Sequence, residues 1–146
     1  MDALNELNDE QIETETKMEI ANAILGEATE FLTLADRRLT WIDLHGGETQ
    51  SDSGLIAWPM PVYGLELNTT GLEVVLKQWT RAGLTSEHGP VLVQRLRRLA
   101  YALGLYRASH HVGDLAYFAY AVGHAREEVA ITLRELAGEL RAEITR

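Results

Sequence analysis

The chain contains no cysteine among its 146 residues. Disulfide frameworks, thiolate zinc sites, iron–sulfur clusters and cysteine nucleophiles are therefore excluded, and any metal ion would need His, Asp or Glu ligands. The sequence also lacks a run near the roughly eighteen apolar residues of a membrane span. Its acidic first residues differ from the basic and then apolar start of a signal peptide. These absences predict a soluble, cytoplasmic protein with no membrane partner.

Positive charge is scarce, and the net charge of −9 is unevenly distributed. Residues 1–30 hold nine acidic residues against Lys17 alone, a net charge of −8 that leaves −1 for the remaining 116 residues. Such a chain repels phosphate backbones unless a local basic patch overrides the repulsion. The candidates for a patch are Arg95, Arg97, Arg98 and Arg107. Nucleic acid is therefore a disfavoured partner.

The length suits a single domain that can bury a core without disulfides or a metal ion. Apolar residues recur with helical spacing over four segments, at about 9–44, 70–82, 90–108 and 114–145. The predicted fold class is all-α, a four-helix bundle-like domain over 1–146 with a long helix at each end.

The first helix has start signals around Asn8. Asn8 is a favoured N-cap residue, and Leu7 and Ile12 have the spacing of a hydrophobic staple across it. We therefore expect helix from about Asp9. The glycines after residue 45 end it.

A four-heptad pattern of apolar residues runs along this helix. One row consists of Met18, Leu25, Leu32 and Leu39, and a second row, three residues later each time, consists of Ala21, Ala28, Ala35 and Ile42. Alanine at alternate layers lets a facing helix approach closely. That helix is either another part of this chain or a second copy of the protein, and the sequence leaves both open.

The segment at about 45–67 has no helical period and contains Pro59 and Pro61. Its flanks can pair as a short β-hairpin around the prolines or lie extended over the bundle. Trp58, Met60 and Tyr63 are residue types that favour binding surfaces. The alternative is that these side chains cap the open end of the core.

The second helix is predicted to begin near Thr70, which is spaced from Glu73 as in a capping box. The last two helices are predicted as an antiparallel hairpin, with Pro90 at the first position of one and Asp114 as N-cap of the other. A single helix from Pro90 to the end is the alternative, which Gly113 disfavours.

The last helix has more apolar surface than one contact requires. The residues of its main apolar row are spaced about 3.7 positions apart on average, as in a straight helix packed in a globular bundle. An adjoining face carries Tyr117, Tyr120, Ala121 and Ile131.

Chemistry-bearing groups are few. His124 shares a helix face with Glu127 and Glu128, where an imidazole and a carboxylate can ligate one metal ion. Glu27 and Glu30 have the ExxE spacing with which helical enzymes of the MazG-like nucleotide pyrophosphohydrolase type hold magnesium. The ExxD element that those enzymes carry on the next helix is missing here, so the resemblance does not assign the family.

The adjacent pair His110 and His111 lies at a predicted turn. Neighbouring residues do not face one site on a helix, so whether the pair binds anything stays open.

These observations favour a non-enzymatic helical module that binds protein, either as a homo-oligomer or as a subunit of a larger assembly, without a cofactor. The predicted interaction residues are Met18, Ala21, Leu25, Ala28, Leu32, Ala35, Leu39, Trp58, Met60 and Tyr63. The alternative is a metal-dependent all-α hydrolase with Glu27, Glu30, His124 and Glu128 as ligands. A third reading is a nucleic-acid-associated regulator that uses the arginine cluster.

Overall fold

A computed structural model of the chain describes the backbone of residues 2–45 and 67–146, with the side chains of 13–45, 67–109 and 113–146. The helices are α1 (Asp2–His45), α2 (Thr70–Arg81), α3 (His88–Val112) and α4 (Leu115–Thr145). These ranges contain no strand. The prediction of an all-α, four-helix bundle-like fold is confirmed. The hairpin predicted within 45–67 lies outside the described residues.

Two helix starts, those of α1 and α3, differ from the predicted ones. α1 begins at Asp2 rather than near Asp9, so the chain does not use Asn8 as its N-cap. α3 begins at His88 rather than at Pro90 and continues to Val112 rather than to about residue 108. Proline is tolerated at this third position because the first four backbone N–H groups of a helix have no intrahelical partner.

α2 begins at Thr70, but its N-terminus is built differently from the predicted capping box. The backbone N–H of Thr70 donates to Asn68 Oδ1 at 3.2 Å. The preceding Thr69 donates its hydroxyl to Glu73 Oε2 at 3.0 Å, instead of bonding a backbone amide. At the other end Gly83 has a φ of 83°, a left-handed conformation that glycine adopts at no steric cost and that ends the helix.

α3 and α4 are two helices, so the alternative of one continuous helix is wrong. Gly113 (φ 98°) and Asp114 (φ 58°) take positive φ angles that reverse the chain. Asp114 occupies the N-cap position as predicted, but its side chain makes no capping hydrogen bond. α3 and α4 run antiparallel and share the most extensive helix contact of the described chain.

α1 runs parallel to α3 and antiparallel to α4. Tyr106, near the end of α3, donates its hydroxyl to Asp43 Oδ1 at 2.6 Å. Farther from the α3–α4 turn, Arg126 of α4 donates to both carboxylate oxygens of Asp36 at 3.0 and 3.2 Å. The hydrogen bond to Asp43, together with burial, raises the pKa of Tyr106 from 10.0 to about 12, which extends the pH range over which its hydroxyl donates to Asp43.

The core lies where α1, α2 and the α3–α4 hairpin meet. α4 turns one row inward, namely Val122, Ala125, Val129, Leu136 and Leu140. α2 contributes Trp79, which is fully buried and whose Nε1 donates to the Thr85 carbonyl at 3.1 Å. The buried Thr132 is satisfied, because its hydroxyl donates to the Glu128 carbonyl at 2.8 Å and accepts from Arg95.

The substitution Gly89→Ala should destabilise the protein even though alanine is the better helix former. Gly89 is buried, and an added Cβ would lie 2.7 Å from Leu76 Cδ2 and 2.9 Å from Ser86 Oγ. Ser86 Oγ accepts the Gly89 amide at 2.9 Å, so it cannot withdraw without losing that bond. We expect a loss of about 1–2 kcal/mol in the free energy of unfolding, measured by urea titration.

Gly104→Ala is the matched control on the same helix. Nothing lies within 4 Å of the Cβ it would add, and Gly104 is exposed. It should stabilise the chain by about 0.5–1 kcal/mol, because glycine loses more backbone entropy on folding. If Gly89→Ala and Gly104→Ala changed the free energy of unfolding in the same direction, the close packing around Gly89 would be contradicted.

Candidate functional site

The α1 residues predicted to form an interaction face divide between the core and the surface. Ala21, Ala28, Leu32 and Ala35 are buried within this chain, and Ile42 of the same alanine row is fully buried too. The alanine row therefore faces the other helices of the chain.

The remaining predicted residues lie elsewhere. Met18 is 47% exposed, and Leu25 and Leu39 are partly buried at the edge of the core. Trp58, Met60 and Tyr63 lie outside the described residues.

The candidate metal ligands are not brought together. His124 Nε2 lies 3.0 Å from Glu128 Oε1, one turn along α4. Glu27 instead packs against the first turn of α2, where its carboxyl carbon lies 2.9 Å from the point that a Cβ atom added to Gly71 would occupy. Within the described side chains no group of three or more His, Asp or Glu residues has an arrangement that could hold a metal ion. The side chains of His110 and His111 are outside this set.

Three arginines of the predicted basic patch, Arg95, Arg97 and Arg98, are bound to carboxylates of the neighbouring helices. Arg97 Nη2 contacts Glu73 Oε1 of α2 at 2.8 Å. Arg95 and Arg98 both reach Glu128 of α4, at 4.0 and 3.3 Å. These ion pairs fix the register between helices, and they reduce the positive field that an anionic partner would meet.

An open apolar groove of about 300 Å³ runs between α3 and α4 near their connecting turn. Its residues recur at intervals of three and four on both helices, so they form one continuous face. We call it the tyrosine groove. It is lined by Arg98, Tyr101, Ala102, Leu105, Tyr117, Tyr120, Ala121, His124 and Ala125.

Three tyrosines form the ridges of the groove and are mostly uncovered. Tyr101, Tyr117 and Tyr120 are 70%, 67% and 72% exposed. Scattered exposed apolar residues are ordinary, but large ones gathered on one face mark a surface that binds something. Tyrosine suits such a surface because its ring supplies apolar area while its hydroxyl keeps a hydrogen-bonding edge.

One end of the groove is polar. Glu128 lies between His124 and Arg98, at 3.0 and 3.3 Å. The His124 ring also stacks on Tyr120, with 6.2 Å between ring centres and 5° between planes. The groove therefore combines a row of rings with one hydrogen-bonding end, an arrangement suited to recognition.

The sequence indicated half of this surface. Tyr117, Tyr120 and Ala121 stand out as surplus apolar residues on α4, but nothing in the sequence of α3 singled out Tyr101. The signal that could have found it is the i, i+4 pair Tyr101 and Leu105, placed across an antiparallel hairpin from the α4 residues.

Comparison with known proteins gives no further assignment: no family model, curated protein or solved structure matches the chain. Over the described residues, no helix combines the length and the apolar character that crossing a membrane requires.

Proposed function

We propose that the protein is a non-enzymatic helical module that associates with a second copy of itself through the tyrosine groove. The proposal rests on one observation, the exposure of about two thirds or more of three tyrosine side chains on a single face. Association would then use α3 and α4, whereas the alanine row of α1 stabilises the fold of each copy.

A second copy suits the shape of the groove. A two-fold interface joins the same patch on both molecules, so that patch must contain both projecting and receding elements. Tyr117 and Tyr120 project from α4, while Ala121 and Ala125 of the same helix recede. The rings of one copy can therefore enter the alanine positions of the other.

The charge distribution also suits a second copy. The groove lies at the end of the bundle where α1 contributes Asp36 and Asp43, since these residues contact α4 and α3. From Asp36 back to Glu13 the helix spans ~35 Å, several times the ~8 Å screening length at physiological salt. Two grooves can thus meet while the far end of the acidic segment, from Glu13 to Glu19, stays well separated, and of that segment Glu27 and Glu30 lie within ~15 Å of Asp36.

An antiparallel two-fold arrangement also adds one complementary charge pair at each end. Asp114 is exposed at the turn, one helical turn before Tyr117. Arg98 lies at the opposite end of the groove. In the antiparallel arrangement, Asp114 of one copy approaches Arg98 of the other.

The available area is compatible with a modest dimer. Three tyrosines exposed to this extent offer ~300–500 Å² per copy, against about 800 Å² per partner in a standard interface. The flanking residues of α3 and α4 must supply the remainder. We therefore expect a dimer whose population depends on concentration.

The substitution Tyr120→Glu should weaken the dimer. A central tyrosine of an interface commonly contributes ~2 kcal/mol or more, which corresponds to at least a roughly 30-fold higher dissociation constant. The dissociation constant is measured by size-exclusion chromatography with light scattering, over about a hundredfold range of protein concentration. The wild-type chain should approach twice the chain mass, and the variant should remain a monomer with an unchanged circular dichroism spectrum.

Val74→Glu is the matched control. Val74 is 50% exposed on α2, away from the groove, and should leave the dimer intact. A wild-type chain that stays monomeric across the range would overturn the proposal. So would a Tyr120→Glu variant that associates as the wild type does.

A further inference from the structure

At the end of the α3–α4 hairpin away from the tyrosine groove, one imidazole lies between two carboxylates. His88, the first residue of α3, has its Nδ1 2.6 Å from Glu139 Oε2 and its Nε2 3.1 Å from Glu135 Oε2. Glu135 and Glu139 are successive turns of α4, so the ring spans one helical turn of its neighbour. A neutral imidazole has one N–H donor and an imidazolium has two. Only the protonated ring can donate to both carboxylates at once.

The same Glu139 carboxylate holds the start of α3. Its Oε2 accepts the backbone N–H groups of Glu87 and His88 at 3.1 and 3.3 Å. Ser86 Oγ accepts the next amide, that of Gly89, at 2.9 Å. The opening turn of α3, whose amides lack intrahelical acceptors, therefore depends on a side chain about fifty residues away.

We propose that His88, Glu135 and Glu139 form a pH-sensitive clasp that ties the first turn of α3 to α4 and loosens when His88 loses its proton. On deprotonation His88 keeps one donor, so one of its two carboxylate contacts becomes a contact between lone pairs. Glu135, the more exposed carboxylate at 49% against 17% for Glu139, is the one released. The clasp is independent of the self-association proposed above.

The electrostatic surroundings support the clasp. The hydrogen bond to Glu139 raises the pKa of His88 and outweighs desolvation, and the charges of Glu139, Glu135 and Glu87 act in the same direction. From α2 the neighbouring group is the apolar side chain of Leu76, which packs against Gly89. Burial alone would raise the pKa of Glu139, but hydrogen bonds from Ser86, His88 and the backbone hold that pKa below its usual value.

The two shifts define the pH window. A group with a raised pKa stabilises the fold fully below its ordinary value, and this stabilisation disappears as the pH rises through the folded value. A group with a depressed pKa stabilises the fold fully at pH values above its ordinary pKa, and this stabilisation disappears as the pH falls through the folded pKa. The clasp is therefore complete between the ordinary carboxyl value of 4.5 and the ordinary imidazole value of 6.5.

The test compares wild type with His88→Gln at one protein concentration. Proton NMR of the wild-type imidazole should give a titration midpoint above 6.5. Between pH 6.5 and that midpoint the unfolding constant should rise by up to tenfold per pH unit. Over the same range the protection factors of the amides of 87–89, which are exchange rates corrected for the intrinsic base catalysis of exchange, should fall. In His88→Gln both pH dependences should flatten. Glu135→Gln, at an exposed position, should lower the titration midpoint of His88 without unfolding the chain.

The control is His45→Gln. His45, the last residue of α1, is exposed, and its ring centre lies 3.6 Å from that of Trp41. This substitution should leave the protection factors of 87–89 and their pH dependence unchanged. A His88 midpoint at or below 6.5 overturns the clasp. Protection factors at 87–89 that keep their wild-type pH dependence in His88→Gln overturn it equally.

Discussion

The substitution Ala28→Glu is expected to unfold the chain. Ala28 is fully buried, in the middle of the alanine row of α1. Glutamate there must either place an unpaired carboxylate in the core or force α1 away from its neighbours, and each costs several kcal/mol. A domain of this size has only ~5–15 kcal/mol of total stability. Far-UV circular dichroism during a thermal scan should show a lost or severely lowered unfolding transition.

Met18→Glu is the control, because it lies in the same heptad pattern. Met18 is 47% exposed, so its replacement by glutamate should change the free energy of unfolding by no more than ~0.5 kcal/mol. If Ala28→Glu instead stays folded and only changes the solution mass, the alanine row is an association face and the assignment of this row to the core is wrong.

The heptad pattern identified the helix but not its partner. Alternating leucine and alanine layers are compatible both with a helix that packs inside its own bundle and with a helix that packs against a second copy of the protein. The deciding fact is tertiary: Ala21, Ala28 and Ala35 are buried within one chain. Two rows three residues apart also face slightly different directions. The alanine row turns inward, while Met18 and Leu39 of the other row lie toward the edge.

Helix ends marked by glycine were predictable, whereas the local cap signals around Asn8 are not used, because α1 runs through them from Asp2. Gly83 and Gly113 take positive φ angles at the two chain reversals, next to the predicted helix boundaries at 82 and 114. The start of α3 was not predictable, because the acceptor that extends the helix back from Pro90 to His88 belongs to Glu139. A single sequence has no pattern that links residues fifty positions apart.

The candidate site was predictable only in part for a similar reason. The surplus apolar face of α4 is visible in the spacing of Tyr117 and Tyr120. Its completion by Tyr101 depends on the register of α3 against α4, which ion pairs such as Arg98–Glu128 fix in the folded chain. Exposure itself depends on which faces the core uses, and the sequence alone cannot rank two apolar faces of one helix.

The substitution Trp79→Ala should cost about 3–5 kcal/mol in the free energy of unfolding. Trp79 is fully buried, and α2 is a helix of only 12 residues, too short to be stable without its packing. Leu72 is the other fully packed side chain of α2, so removing the indole leaves the helix with one main anchor. Urea unfolding followed by circular dichroism measures the loss without relying on tryptophan fluorescence.

Trp79→Phe separates packing from hydrogen bonding at the same position. Phenylalanine keeps most of the buried ring area but cannot donate to the Thr85 carbonyl, which accepts Nε1 at 3.1 Å. That bond ties α2 to the turn before α3, and its loss should cost about 0.5–1.5 kcal/mol, the net contribution of a typical hydrogen bond, because Thr85 is exposed and water can reach its carbonyl. The phenylalanine variant should therefore lie between wild type and Trp79→Ala. Equal losses in the two variants would mean that the hydrogen bond, rather than the buried ring, holds α2 in place.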